Sequence, residues 1–354
     1  MIVPVSLGSH SYDIVIGSNH LHDAGRHLAA FQPVSSAVVL TDTNVQQYGY
    51  ADQVAASIAD AGIPTQVLSV AAGEQSKTIE TANSLWETFL EDGIDRKSLL
   101  VVVGGGVVGD LGGFVAATYA RGIRFFQVPT SLLAQVDSSV GGKVGIDLTA
   151  AKNMVGAFHQ PLGVLIDTEV LQTLPEEEYL SGLGEVVKYG VSLDASLFRD
   201  IEENVEAIKR RDNTVLQKIV AECCRIKAEI VAEDEYETTG RRIVLNYGHT
   251  FGHAFEVASG YKILHGLAVS IGSIYAARLA LRLGLVDEAF LYRQIDLYRA
   301  LNLPVEYPSE FDPLRMTELM RRDKKTEHGK LRFVLPTGLG QCRVIEGIEA
   351  AEVF

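Results

Sequence analysis

The sequence LLVVVGGGVVGD, residues 99–110, joins a run of five apolar residues to a glycine-rich turn. The apolar run is too short for a helix and rich in β-branched side chains, which is typical of a strand buried in a parallel sheet. We predict a helix after the turn, over residues 111–119. Such a turn brings backbone N–H groups and a helix N-terminus against a phosphate, because glycine has no Cβ to block the approach.

A tight connection without any ligand is the alternative interpretation of this turn. Residues 99–110 lack the G-x-G-x-x-G spacing of the common dinucleotide motif. No acidic residue ends a strand about 20 residues later, where that motif places its ribose contact. A comparable acid lies upstream, at Asp42. We therefore expect any ribose contact to come from an earlier strand end.

Strand and helix patterns alternate through the first half of the chain as far as Asp167. This alternation predicts a parallel α/β sheet with its ligands at the carboxyl ends of the strands. After Thr168, helical periodicity dominates to about residue 322, and one hairpin is expected near the end of the chain, around residues 336–338. We therefore predict an N-terminal α/β domain over residues 1–170 and an all-α C-terminal domain over residues 171–354.

Composition narrows the classes of function. The chain has 354 residues, 47% of them hydrophobic, and a net charge of −14, so we expect a globular protein without a nucleic-acid surface. Two of the three cysteines are adjacent, which does not suit a disulfide framework and favours a reducing cytoplasm. No signal peptide is expected, because the first residues lack a basic segment. No membrane span is expected either, since the most apolar window contains Asp110 and many glycines.

The helical half contains a second group of chemically active residues. His249 and His253 are four residues apart, and this spacing alone makes them a zinc pair with Glu185 as the oxygen ligand. Two hydrogen-bonded histidines on an ordinary helix are the alternative. A third histidine, His265, and a lysine one turn after the glutamate, Lys188, favour the metal. Three protein ligands with an open fourth position are typical of a catalytic site.

Taken together, these motifs resemble the 3-dehydroquinate synthase family of sugar phosphate cyclases over nearly the whole chain. The most specific matches lie at residues 104–110, 127–143, 152–161, 185–190, 245–253 and 323–325. The resemblance implies a Rossmann-like N-terminal domain, a helical C-terminal domain, an active site in the cleft between them and a homodimer. It implies NAD and a divalent metal, zinc or alternatively cobalt, as cofactors.

The same resemblance implies a reaction of the shikimate pathway, which supplies aromatic amino acids. The substrate is a small phosphorylated sugar acid, 3-deoxy-D-arabino-heptulosonate 7-phosphate, and the products are 3-dehydroquinate and phosphate. The implied sequence of steps is transient oxidation by NAD, phosphate elimination, reduction, ring opening and aldol closure. A nucleic acid or a membrane is not among the implied partners.

The resemblance also implies roles for individual residues. The metal ligands become Glu185, His249 and His265, which overrules the spacing argument and moves His253 to the substrate side. The other residues with catalytic roles are Asp137, Lys143, Lys188, Arg242 and Asn246. Substrate-binding positions are Arg121, which reaches the site of a neighbouring subunit, Asn153, Lys227, and one of Lys324 and Lys325. Cofactor-binding positions are Asp42, Asn44, Gly73, Glu74, Gln75, Lys77, Gly105, Gly106, Val107, Val108, Gly109, Asp110, Thr130, Ser131, Lys143, Lys152, Val170, Leu171, Gln172 and Thr173.

Three other functions are consistent with parts of this pattern. A metal-dependent alcohol dehydrogenase of the glycerol dehydrogenase type shares the two-domain plan but needs fewer anion-binding cations. Another cyclase, such as a 2-deoxy-scyllo-inosose synthase, acts on a substrate without a carboxylate for Arg242 to pair with. A protein that only senses NAD is the non-enzymatic alternative, and the intact set of Glu185, His249 and His265 argues against it.

Overall fold

The computed structural model describes residues 1–149, 151–307, 312–323, 331–349 and 353. Lys324 and Lys325 therefore lie outside the described residues. The chain divides into two compact units, the first formed by residues 1–174 and 227–236 and the second by residues 175–226 and 237–354. Periodicity predicts a helix around residue 227, but it carries no information on which unit the end of that helix packs against. The prediction of one domain over residues 171–354 therefore includes residues 227–236, which the structure assigns to the first unit.

The first unit is built on a seven-stranded sheet. The strands of this sheet are β1 (Ile2–Val5), β2 (Tyr12–Gly17), β3 (Ala37–Asp42), β4 (Thr65–Val70), β5 (Leu99–Gly104), β6 (Arg124–Pro129) and β9 (Gly163–Asp167). Two more strands, β7 (Lys143–Leu148) and β8 (Ala151–Phe158), form a separate hairpin. The strand order is β1-β2-β9-β6-β5-β3-β4. All neighbours in the sheet are parallel except β1 and β2. This confirms the predicted parallel α/β architecture.

Helix α5 packs unusually close to the sheet. The helices of this unit are α1 (Ala24–Ala29), α2 (Thr43–Gln46), α3 (Tyr50–Asp60), α4 (Ile79–Glu91) and α5 (Gly106–Thr118). A Cβ on Gly112 would lie 2.6 Å from Val102 Cγ2, and one on Gly113 would lie 2.2 Å from Val144 Cγ1. The glycines therefore allow α5 to approach both β5 and the β7–β8 hairpin. The helix begins earlier than predicted, at Gly106, because the glycines that indicate a turn also form its first residues.

The second unit is helical, as predicted. Its elements are α6 (Glu176–Ser192), α7 (Ala195–Glu203), α8 (Val205–Lys209), α9 (Asn213–Glu233), α10 (His249–Ala258), α11 (His265–Arg282), α12 (Glu288–Ala300), α13 (Pro313–Asp323) and a hairpin of β10 (Leu331–Gly338) and β11 (Gln341–Ile348). The end of α9 belongs to the first unit. Within the described residues, no helix combines the length and the hydropathy needed to cross a membrane.

Glycines also control the packing of α6 and α11. A Cβ on Gly184 would lie 2.2 Å from the carbonyl oxygen of Gly266, and one on Gly266 would lie 1.7 Å from that of Ser181. The two helix backbones are thus in direct contact. Because Glu185 follows the first of these glycines and His265 precedes the second, this contact fixes the separation of two candidate metal ligands.

Candidate active site

The glycine turn and two hydroxyl groups meet at the carboxyl ends of β5 and β6. The N–H of Thr130 donates to the carbonyl of Gly104 at 2.9 Å. Gly105 is the N-cap of α5, and no described side chain caps that helix. A Cβ on Gly105 would lie 3.5 Å from the Ser131 hydroxyl, and one on Gly106 would lie 3.2 Å from the Ser138 hydroxyl. An uncapped helix N-terminus bordered by hydroxyls suits a phosphate group.

The other predicted cofactor residues follow neighbouring strands at the same edge of the sheet. Asp42 ends β3, and its carboxylate accepts the N–H groups of Asn44 at 2.8 Å and Val45 at 3.0 Å, which caps α2. Gly73, Glu74 and Gln75 form a turn after β4. The turn after β9 contains Val170, Leu171, Gln172 and Thr173. Since the strands are parallel, the fold brings all these positions to one edge.

Lys77 is the centre of a polar network in this unit. Only 3% of the residue is exposed, and its ammonium donates to Asp110 at 2.6 Å and to the side-chain oxygen of Asn153. Glu74 lies 3.9 Å from Lys77 Nζ and 3.6 Å from Lys152 Nζ. Burial opposes the charge of Lys77, but the carboxylates of Asp110, Glu74 and Asp147 together outweigh burial and raise the lysine pKa above its ordinary value. The structure thus joins predicted cofactor residues to a predicted substrate residue.

Four further predicted residues, Asp137, Lys227, Lys143 and Arg121, lie in the same unit. Lys227 Nζ donates to the carbonyl of Asp137 at 2.6 Å and to its carboxylate at 2.5 Å. This lysine is 6% exposed, so it does not extend into solvent. Lys143 is the exposed first residue of β7 and follows two glycines with positive φ, Gly141 and Gly142. Arg121 is exposed and has a φ of +67°, a backbone conformation that residues other than glycine seldom adopt.

Glu185, His249 and His265 converge in the second unit. Glu185 is completely buried in α6, and its Oε1 lies 3.7 Å from Nε2 of each histidine. The Nδ1 of His249 donates to the carbonyl of Tyr247 at 3.1 Å, and the Nδ1 of His265 donates to the Glu256 carboxylate at 3.2 Å. These bonds leave the Nε2 atoms, which face Glu185, as the ligand nitrogens.

This arrangement fits a divalent metal ion. Glu185 Oε1 is buried and accepts no hydrogen bond from the described residues, although a buried carboxylate oxygen normally has a partner. Its other oxygen lies 2.5 Å from Lys188 Nζ. Burial, together with the charge of Lys188, lowers the pKa of His249 well below its usual range. The ring is therefore neutral at physiological pH, as a metal ligand must be.

His253 belongs to the same cluster. The ligand-capable atoms of His249, His253 and His265 all lie within 4.8 Å of one another. The spacing argument and the family resemblance therefore point to one place in the fold. The orphaned oxygen favours Glu185 as a ligand, and His253 then borders the metal position.

The segment before His249 holds two more predicted residues. Arg242 is 3% exposed, with its Nε 3.6 Å from the Glu237 carboxylate, and Asn246 is half-buried. Both lie in the turn Arg241–Asn246. Sequence reasoning missed Tyr247 and Glu256, which orient the two histidine rings. Tyr247 acts through its backbone and gives no signal in sequence, whereas Glu256 follows His253 by one helical turn, a spacing that was open to detection.

Comparisons with known proteins identify the family of this chain. The family profiles described as "3-dehydroquinate synthase N-terminal" and "3-dehydroquinate synthase C-terminal" match residues 67–181 and 182–326. The 3-dehydroquinate synthase of Desulforamulus reducens is 48% identical, over 99% of this chain and 98% of its own length.

Two solved structures resemble the whole fold. A 2-deoxy-scyllo-inosose synthase complexed with carbaglucose-6-phosphate, NAD+ and Co2+ has a TM-score of 0.89 and 25% identity, covering 100% of this chain and 98% of that one. The 2-epi-5-epi-valiolone synthase of Streptomyces hygroscopicus subsp. jinggangensis, with NAD+ and Zn2+ bound, has a TM-score of 0.87 and 27% identity, covering 97% and 94%. The sequence matches and the converging ligand set lead to one conclusion: this chain is an enzyme that belongs to the 3-dehydroquinate synthase family.

Proposed function

We propose that this enzyme converts 3-deoxy-D-arabino-heptulosonate 7-phosphate to 3-dehydroquinate and phosphate, with NAD and zinc or cobalt as cofactors. The observation that carries the proposal is the buried Glu185 oxygen facing two imidazole nitrogens at 3.7 Å. It occurs in a chain that is 48% identical to a 3-dehydroquinate synthase over its full length. Related cyclase structures hold NAD+ with Co2+ or Zn2+.

Glu185, His249 and His265 hold the metal in this proposal. When bound, the metal and NAD supply a Lewis acid that lowers the pKa of a substrate alcohol and an acceptor for its hydride. Lys188 neutralises the second oxygen of Glu185, at 2.5 Å, and so keeps the ligand charge low in a buried site. Tyr247 and Glu256 keep the imidazole Nε2 atoms directed at Glu185.

The cations bind the two anionic ends of the substrate. Lys143, Asn153, Arg121 and His253 hold the phosphate, whose departure follows oxidation of the neighbouring alcohol. Arg242 and Lys227 hold the carboxylate, for which the planar fork of arginine is well suited. Contacts at both ends would hold the substrate in one orientation throughout the reaction, because remote binding supplies orientation.

The cofactor residues at the strand ends bind NAD. Residues 105–110 would hold the pyrophosphate, because the uncapped start of α5 offers its N–H groups there. The turns after β3, β4, β6 and β9 would hold the remainder of the dinucleotide. The half-exposed Lys152 borders Glu74, at 3.6 Å, on the same side.

The decisive experiment follows phosphate and NADH together. We would incubate the enzyme with metal, trace NAD and the heptulosonate phosphate. Phosphate is expected to accumulate over many turnovers while NADH stays below the enzyme concentration, because a cyclase returns the hydride. NADH that rises in step with product would instead identify an alcohol dehydrogenase. Phosphate release from glucose 6-phosphate, which has no carboxylate, would identify a different cyclase.

We also propose that the enzyme is a homodimer in the cytoplasm. None of the three cysteines, all within the described residues, forms a disulfide, and burial raises the pKa of Cys223 well above its ordinary value. Inert thiols fit a reducing compartment. The exposed Arg121, held at positive φ, is the residue that the family resemblance assigns to a neighbouring subunit. Light scattering on the purified enzyme tests the dimer, and a monomeric mass would contradict it.

A further inference from the structure

Asp147 lies at an irregularity in the β7–β8 hairpin. The register shifts between Ile146 and Leu148, so that three residues of β8, 152–154, lie opposite Asp147 alone. Two of those three are residues that the proposed function assigns to the cofactor and the substrate. Bulges of this kind bend a strand and redirect its side chains, and they are common beside active sites.

Asp147 forms a ring of hydrogen bonds with Lys77 and Asn153. Its N–H donates to the carbonyl of Lys77 at 2.8 Å. Its carboxylate accepts the N–H of Asn153 at 2.8 Å. The side-chain oxygen of Asn153 in turn accepts from the ammonium of Lys77. The hairpin is thus tied to the turn after β4 by both backbone and side-chain bonds.

The ring determines which atoms Asn153 presents. Its φ of +57° takes its N–H out of the regular strand geometry, and the Asp147 carboxylate supplies the acceptor that the bulge removes. Because Lys77 holds the side-chain oxygen, the amide NH2 group remains as the donor toward a substrate phosphate. Asparagine tolerates this backbone conformation better than most residues, but the conformation still needs support.

The electrostatic surroundings agree with a central role for Asp147. Burial raises the pKa of Glu74, and although Lys77 opposes this, the neighbouring Asp147 carboxylate raises it further. Asp147 also adds to the negative charge that favours the protonated form of Lys77. Its carboxylate therefore faces Glu74, Lys77 and the Asn153 backbone together.

We propose that Asp147 is a positioning residue for the reaction. It stabilises the β8 bulge so that Asn153 donates its amide to the substrate phosphate. Its own hydrogen bond to Lys77 connects the β7–β8 hairpin to the cofactor residues. The inference rests on the proposed function and deepens it, since the proposed function assigns Asn153 to the substrate and Lys77 to the cofactor but gives Asp147 no role.

The test compares three single variants. Asp147→Ala removes the acceptor for the Asn153 N–H, and we expect kcat/KM for phosphate release to fall about tenfold or more, chiefly through KM. NAD affinity is expected to change less, because the backbone bond to Lys77 survives. Asp147→Asn is expected to recover most of the loss, since its amide oxygen accepts the same bond. Leu148→Ala, at the neighbouring exposed position, is the matched control and is expected to behave as wild type.

A double variant shows whether Asp147 acts through Asn153. Residues that act as a unit give non-additive effects, so Asp147→Ala combined with Asn153→Ala is expected to lose little more activity than Asn153→Ala alone. Multiplicative losses would overturn the proposal, as would an unchanged KM in Asp147→Ala. If that variant does not fold, Asp147→Ser, which keeps a polar side chain but lacks the carboxylate oxygen that accepts the Asn153 N–H, takes its place. Wild-type enzyme that released no phosphate would overturn the proposed function instead.

Discussion

Glu185 directs one carboxylate oxygen at two imidazoles and the other at a lysine. The distance of 3.7 Å from Oε1 to each Nε2 is too long for a hydrogen bond but leaves room for an ion between them. The residue types of this cluster were evident from the sequence. Their convergence on one metal was also predicted, but the distances between them were not, because no local pattern relates Glu185 to His249 on a helix far along the chain.

Replacing one histidine at a time distinguishes a metal ligand, His265, from a residue that only borders the metal position, His253. We expect His265→Ala to lose metal and activity together, because a ligand is missing. His253→Ala is expected to keep the metal and lose rate. Metal content of the purified variants, measured by atomic absorption, checks both. Loss of metal from the second variant would restore the pair predicted from spacing.

The carboxylate behind His265 gives a graded test. Glu256 accepts from His265 Nδ1 at 3.2 Å and so fixes the ring with Nε2 toward Glu185. We expect Glu256→Ala to weaken metal binding by about 10–100-fold, the usual cost of losing such a partner. Competition with a chelator measures the affinity directly. Equal affinity in variant and wild type would contradict the role of this carboxylate.

Lys143 tests the phosphate end of the substrate site. A charge-assisted contact contributes roughly 1.5–3 kcal/mol, so Lys143→Ala should weaken binding of a phosphonate substrate analogue at least about tenfold. Calorimetry measures this affinity. NAD binding, titrated in parallel, separates the two roles assigned to Lys143, and we expect it to weaken less than analogue binding. Unaltered analogue affinity would remove Lys143 from the substrate site.

At the scale of elements, the strands with continuous apolar runs were predictable from the sequence, whereas the β7–β8 hairpin was not. Strands such as β5 are buried on both faces, so their pattern is unambiguous. Strand β8 is largely exposed and contains the bulge and Gly156, so it lacks an alternating pattern. Contacts such as that of Asp147 with Asn153 depend on this register, which no local signal records.

The contact between α6 and α11 allows a prediction about stability. A Cβ on Gly184 would lie 2.2 Å from a backbone oxygen of α11, which cannot move without shifting the helix. We expect Gly184→Ala to lower the free energy of unfolding by about 1–3 kcal/mol. It should also weaken metal binding, since Glu185 and His265 move apart. Denaturant unfolding with and without metal checks both effects, with Lys218→Ala, exposed on α9, as the control. If Gly184→Ala were as stable as the wild type, α6 and α11 could move apart without loss of folding free energy, which would contradict this prediction.

At the scale of the molecule, the first unit draws on two separated segments of chain. Its second segment, residues 227–236, supplies Lys227, whose ammonium contacts Asp137 90 residues earlier, and Glu235, whose carboxylate accepts from Gln160. The ribosome releases these segments in order, and most of α6–α9 is synthesised between them. The N-terminal 174 residues therefore emerge with Asp137 and Gln160 still lacking these partners. The first unit is completed only after the chain has been made as far as residue 236, so its assembly finishes in the middle of translation of the second.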